Sequence, residues 1–219
     1  MICMKRFIVI NKQHIYNQPM KKLSAYLFLV LFSFSAPSFA DDIRDFQIDG
    51  MSIGDSLLDY MSKESILEYK TKEKIYPDDE FYLVSPPLNK MFNKSITYDF
   101  FRFHLKKGDN FYKIHAVGGG IHFGFDGFNQ CIEKKNEITK DLVKIFGTEK
   151  KSESKLENHD YDKTGDSKTI STYFKLNNGK IIVRCYDWST ELASKYNWED
   201  DIEVAINSKE FQNWGENLY

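Results

Sequence analysis

The sequence predicts an α+β fold: an antiparallel sheet of hairpins with helices packed on one face. Two stretches carry the sheet. Residues 98–117 and 169–188 each alternate apolar and polar side chains on both sides of a glycine-containing turn, the pattern of a half-buried hairpin. The helix rests on a third observation. Phe128, Cys131, Ile132, Ile138, Leu142, Ile145 and Phe146 recur at helical spacing between Asp126 and Gly147, which makes one apolar stripe.

The first segment reads as an address rather than as structure. From Met20, Lys21 and Lys22 form a positive n-region and Leu23–Phe34 a short apolar run. Pro37 follows, and Ser38-Phe39-Ala40 supplies a small-residue cleavage site. The run is too short for a membrane anchor. Residues 1–40 are therefore expected to be removed on export, with 1–19 as a misassigned upstream start, leaving 41–219 as a single α+β domain. The residue after the cut is Asp41 and not cysteine, so no lipid anchor is expected and the protein should be periplasmic or secreted. Residues 1–40 hold five of the 30 basic side chains and none of the 32 acidic ones, so 41–219 carries a net charge of −7. That balance opposes nucleic acid or an anionic membrane as the main partner.

Asp45–Ile48 alternates as a short strand that Asp49-Gly50 ends. Ser52 can cap a helix with Ile53, Leu57, Leu58 and Met61 on its apolar side. Ser62 can cap a second, with Ile66, Leu67 and Tyr69. A helix–turn–helix pair lying on the sheet is the expectation. Phe81–Val84 reads as a strand, and Pro86-Pro87 as extended chain or turn.

In the first hairpin a tight turn at Gly108-Asp109 places Phe101, Phe103 and Leu105 on a buried face with Tyr112, Ile114 and Ala116. Arg102, His104, Lys113 and His115 then fall on a wet face. Gly118-Gly119-Gly120 reads as a bulge or bend, after which Ile121-His122-Phe123 resumes the strand. Residues 148–168 read as a polar loop. The second hairpin turns at Asn178-Gly179, with Ile170, Thr172, Phe174 and Leu176 facing Ile181, Val183 and Cys185. Ile202, Val204 and Ile206 mark another strand, and Ser208 caps a last helix bearing Phe211, Trp214 and Leu218.

Several residues invite a chemical reading. Cys131 and Cys185 each fall on an inward stripe, and an exported chain can keep a bridge; the alternative is two buried thiols. Asp160, Asp162 and Asp166 open a D-x-D-x-T-G-D stretch like the start of a calcium loop. Ser171 stands where that loop needs a bidentate glutamate, so an ordinary acidic loop is the main expectation. His104, His115 and His122 have metal-like spacing, but Lys113 and Arg102 are the expected neighbours and would repel a cation. No metal and no cofactor are expected. Tyr186, Trp188, Trp198 and Trp214 crowd the last third beside acids, as in a contact surface for a protein, peptide or sugar. The competing reading is a small core under the final helix.

The stretch Asp45–Ile66, with G-M-S-I-G-D-S-L-L at Gly50–Leu58, resembles the opening of a family of small exported bacterial proteins of unknown function. Its members share an export signal and a cysteine pair. More distantly, a strand followed by Gly50-Met51-Ser52 is similar to the small lipoprotein of the outer-membrane β-barrel assembly machine. That fold, shared with β-lactamase inhibitory protein, implies paired helices against an antiparallel sheet. The lipid-bearing cysteine is lacking here, and no functional residue is carried over. The functional expectation is a non-enzymatic exported binding or protein-interaction domain. The alternative is a hydrolase-like enzyme using carboxylates and histidines.

Overall fold

The computed structural model describes residues 6–8, 42–71, 76–93 and 95–218. Most of the expected leader, including all of the export signal through Ala40, lies outside the described residues. The exception is β1 (Arg6–Ile8), which pairs in parallel with β2 (Phe46–Ile48) beside the main sheet.

After β2 the chain departs from the expected helix pair. Ser52 donates its hydroxyl to the Phe46 carbonyl, and its own N–H goes to Asp55. Gly54 adopts φ +90°, a conformation that ordinary residues avoid and that breaks a helix. A 3-10 turn at Leu57–Asp59 replaces the first helix. The second forms as α1 (Lys63–Glu68), capped by Ser62.

An eight-stranded antiparallel sheet follows. Its strands are β3 (Phe81–Val84), β4 (Phe100–Lys106), β5 (Ile114–Gly124), β6 (Lys151–Glu153), β7 (Glu157–Asn158), β8 (Lys168–Leu176), β9 (Gly179–Asp187) and β10 (Asp200–Ser208). The order is β3-β4-β5-β10-β9-β8-β6, with β7 also on β8. The last strand thus joins the two hairpins. β6 and β7 are carved from the stretch expected to be loop. They pair antiparallel with β8. Their polar side chains, which include Glu153 and Asn158 bonded to Thr172 and Lys168, do not show the alternation that marks a half-buried strand.

The β8–β9 hairpin keeps the expected faces with a different turn. Leu176 pairs with Gly179, so the loop is Asn177-Asn178. This slides the register by two residues, an even step that leaves every side chain on its expected face. Ile170, Thr172 and Phe174 sit opposite Cys185, Val183 and Ile181.

The β4–β5 hairpin is corrected further. Its loop runs from 107 to 113, and β5 carries an extra residue at His115, because Leu105 pairs with Ile114 while His104 pairs with Ala116. That bulge is an odd step, so Ala116 crosses to the His104 face and Val117 takes its place in the core. The glycine run is no bend. Register with β4 and β10 passes unbroken through Gly118, Gly119 and Gly120.

Helix α2 (Phe128–Phe146) lies on the inner face with Cys131, Ile138, Leu142 and Phe146 buried, and Gly147 ends it at φ +82°. The inner core joins these to Phe101, Phe103, Leu105, Val117, Phe174, Val183, Ile202, Val204 and Ile206. Each such side chain contributes about 1.5–3 kcal/mol by leaving water. Two short helices remain: α3 (Thr190–Tyr196), capped by Ser189, and α4 (Lys209–Glu216), capped by Ser208. α4 packs Phe211 on His104 and Phe81, and His104 belongs to the face turned away from the core.

Cys131 and Cys185 lie at disulfide distance with Cα atoms 5.8 Å apart, which staples α2 to β9. Closing 54 residues of chain should stabilise by about 3–4 kcal/mol. Replacing both cysteines with alanine is therefore expected to lower the urea midpoint by that equivalent, and dithiothreitol should do the same to the wild-type chain. Free thiols in a non-reducing peptide map of the native protein would refute the bridge.

Candidate functional site

The outer face of the sheet was expected to be wet, yet it holds a packed network of charge and rings. β10 supplies its centre. Because Ile202, Val204 and Ile206 point inward, Asp201, Glu203 and Ala205 point outward. Glu203 lies in register between Gly120 on β5 and Arg184 on β9. Its Oε2 accepts from Arg102 Nη1 at 3.2 Å and from the Tyr186 hydroxyl at 3.2 Å.

The glycines make this arrangement possible. A Cβ on Gly118 would fall on the Glu203 carboxylate, one on Gly120 inside the Phe100 ring, and one on Gly119, on the inner face, in the Tyr98 ring. Three successive glycines therefore give up side chains to neighbours on both sides of the sheet. Arg102 lies over the Phe100 ring, 4.5 Å from its centroid, and Arg184 donates Nε–H to Ser171 Oγ at 2.8 Å. Burial works against the Arg102 charge, but Glu203 and Asp201 outweigh it and hold the guanidinium above its ordinary pKa. Burial and Glu203 together push the Tyr186 hydroxyl up to about 12, so it remains a donor.

A run of rings extends from Tyr186. Trp188 stacks beside it, with centroids 5.3 Å apart and planes 3° from parallel. Trp198 meets Trp188 at 4.6 Å, and Tyr196 stacks on Trp198 at 4.8 Å. His159 touches Tyr186 and Trp188, and Tyr161 touches Trp198. Tyr186 is 7 % exposed, whereas Tyr161 and Tyr196 are 45 % and 36 % exposed. The run thus climbs from the sheet to the surface.

Local bonds hold each ring in place. Asp162 Oδ1 accepts from the Thr164 N–H and hydroxyl, and Oδ2 from the Ser167 N–H and hydroxyl. Ser167 Oγ in turn accepts the Ser189 N–H at 2.9 Å, and Ser189 caps α3. The calcium-like loop is therefore a bracket between His159, Tyr161 and the start of α3. Its hydroxyl and N–H donors hold Asp162 well below the usual carboxylate range. Asn197 takes the left-handed conformation that ends α3 and brings Trp198 back over Tyr196. Asp200 accepts the backbone N–H groups of Trp188 and Gly127 at 3.0 and 2.9 Å, which ties β9 to the start of α2.

Trp214 belongs elsewhere. It is 8 % exposed, meets Tyr76, Phe81 and Phe211, and donates Nε1–H to both oxygens of Asp78 at 3.0 Å. This is the small core under the final helix. A cavity of about 370 Å³ adjoins it, lined by Asp78, Glu80, Glu210 and Trp214. Lys106 already engages Glu80 and Glu210.

The histidines are spread over different surroundings. His104 bonds the Tyr76 hydroxyl at 2.6 Å, and burial lowers it to about 4. His115 faces Glu210 at 3.4 Å, and His122 lies by the Phe100 ring. Among the described residues no group of three or more His, Cys, Asp or Glu is placed to hold a metal ion, and no helix is long and apolar enough to cross a membrane.

Of the residues singled out from sequence, Tyr186, Trp188 and Trp198 come together and Trp214 does not join them. Tyr196, from the same aromatic-rich last third, joins the first three, and Arg102, Asp201, Glu203, His159 and Tyr161 complete the site without having been expected there. No family model, curated protein or solved structure matches the chain.

Because Gly118 and Gly120 have no space for a methyl group, Gly118→Ala and Gly120→Ala should each lower stability by about 1–3 kcal/mol. Gly108→Ala, with open space around it but φ +83°, separates crowding from backbone strain. Urea melts in which the two strand variants match wild type would refute the packing account.

Proposed function

We propose that the chain is an exported, non-enzymatic binding domain. It engages a peptide, protein or sugar partner through the aromatic platform of Tyr161, Trp188, Tyr196 and Trp198. The observation that carries this reading is the ring run itself, which rises from a rigid polar base to two exposed tyrosines. Large, stiff rings provide contact area at little conformational cost, and such side chains dominate the energetics of recognition surfaces. The bracket through Asp162, Ser167 and Ser189 favours the same reading, since it fixes the rings before any partner arrives.

A hydrolase would draw on Asp201 and Glu203, which share the outer face of β10. Glu203 is engaged by Arg102 and Tyr186, and Asp201 lies beneath Trp188, 2 % exposed. Neither carboxyl is presented to a substrate, which leaves binding as the better use of this face.

Immobilised peptide and glycan arrays probed with the purified chain would identify the partner class. Tyr161→Ala, Tyr196→Ala and Trp188→Ala should each weaken the captured interaction by about 5–30-fold, the equivalent of about 1–2 kcal/mol. Tyr161→Ala and Tyr196→Ala should leave the thermal midpoint nearly unchanged. Trp214→Ala should instead melt the protein early and leave residual binding by the folded fraction intact. Early melting of both tyrosine variants with unchanged affinity would reduce the rings to a packing role.

A further inference from the structure

Asp201 occupies a position that few carboxylates tolerate. It is 2 % exposed on the central strand. Its Oδ2 accepts the indole N–H of Trp188 at 3.3 Å, and its Oδ1 has no hydrogen-bond partner among the described residues. An ionised carboxylate buried with a single neutral donor is strongly disfavoured against its neutral form.

The surrounding charges do not compensate. Glu203 and Asp200, on the same strand, repel a negative charge. Arg102 attracts it from β4 but is bound to Glu203. His122 is the register partner on β5, and Tyr186 the partner on β9, with Arg184 behind it. His159 packs on the far side of this group against Trp188. Burial is the largest influence; Arg102 and the Trp188 N–H oppose it by favouring the charge, Glu203 and Asp200 reinforce it, and the result raises Asp201 to about 7.

We propose that Asp201 is a proton-operated latch on the aromatic platform: protonated, it holds Trp188 seated, and ionised, it admits water and releases the indole. The inference rests on the platform being the partner surface and adds its regulation. Trp188 is the element that yields because it lies one residue past the end of β9, whereas the other neighbours of Asp201 belong to paired strands. Moving Ile202 or Cys185 would open the core, whereas swinging the half-buried indole gives up its N–H bond and its contacts with Tyr186, His159 and Trp198 and hydrates the carboxylate with the core still closed.

The direction of the pH effect follows from proton counting. The folded carboxyl titrates near 7 and the unfolded one near 3.8. Between these values the folded chain holds a proton that the unfolded chain has lost. Stability from this group is therefore full below about pH 4 and declines as pH rises through about 7.

The chain has three tryptophans, so a ¹⁵N-labelled sample gives three indole N–H resonances, assigned by Trp188→Phe, Trp198→Phe and Trp214→Phe. The Trp188 resonance is expected to titrate with a midpoint near pH 7 and to exchange faster with water above it. The thermal midpoint should fall between pH 5 and pH 8. Asp201→Asn should abolish the titration and flatten that fall, and His159→Gln should leave both in place. A Trp188 resonance that is flat from pH 5 to pH 9 overturns the latch, as does a titration that survives Asp201→Asn or disappears with His159→Gln. If Asp201→Asn does not fold, the wild-type and His159→Gln titrations decide alone. The titration needs no ligand, so its failure with binding intact removes only the latch. Its success with alanine variants that bind normally removes only the surface.

Discussion

β10 has to satisfy two hairpins at once, and the rest of the structure depends on it. Its residues 201–207 pair with β5 on one edge and β9 on the other, so without it the two hairpins are separate sheets. It is also the last strand in the chain, so its contacts with β5 span some eighty residues of sequence. Such non-local pairing costs loop-closure entropy before it is repaid. The inner side chains Ile202, Val204 and Ile206 are fully buried, which supplies the apolar reward on one face. On the other face β10 brings two carboxyls under packed side chains, Asp201 buried and Glu203 partly so. The glycine run, the arginines and Tyr186 all follow from accommodating that second face.

Glu203 and Asp201 are accommodated in opposite ways. Glu203 meets a guanidinium and a phenol at 3.2 Å each, and Gly118 leaves the volume its carboxylate fills. Asp201, two residues away on the same face, gains only an indole N–H. A buried pair with good geometry roughly repays its desolvation, whereas a buried acid without a cation does not. The difference is one of reach. Arg102 extends from β4 across a β5 that has no side chains at Gly118 and Gly120, and its Nη1 goes to Glu203. No second cation on β4 or β5 occupies the corresponding place over Asp201, where His122 is the register partner.

Much of this was legible in the sequence wherever parity alone decided the answer. The β8–β9 faces survived a wrong turn because the error was an even number of residues, and the stripe of α2 placed Cys131 correctly opposite Cys185. Parity failed at His115, where one extra residue flipped Ala116 outward, since a bulge leaves no mark in an alternating pattern. The glycine run misled for a related reason. A strand interior without side chains reads as a bulge or bend, whereas here the space is taken by Phe100, Tyr98 and Glu203 from the neighbouring strands and the loop before β4. Ser52 and Ser62 looked equally able to start helices, and Gly54 decided between them. At the site, the alternation of β10 already put Asp201 and Glu203 on one face. Nothing local said that β5 and β9 would be their neighbours, so Arg102 and Tyr186 remained unconnected residues.

The same logic explains why the terminal tryptophans part company. Trp188 and Trp198 flank the segment that holds α3, close in sequence to β9 and β10, so a short connection returns one ring onto the other. Trp214 follows β10 at its opposite end, beyond Ser208, and α4 carries it over β3 and β4, where Asp78 takes its indole N–H. A strand of nine residues rises about 3.3 Å per residue, so its two ends are roughly 30 Å apart. Rings attached to opposite ends of it cannot share one surface. Strand length, rather than aromatic content, divides the last third of the chain into a core under α4 and a platform beside α3.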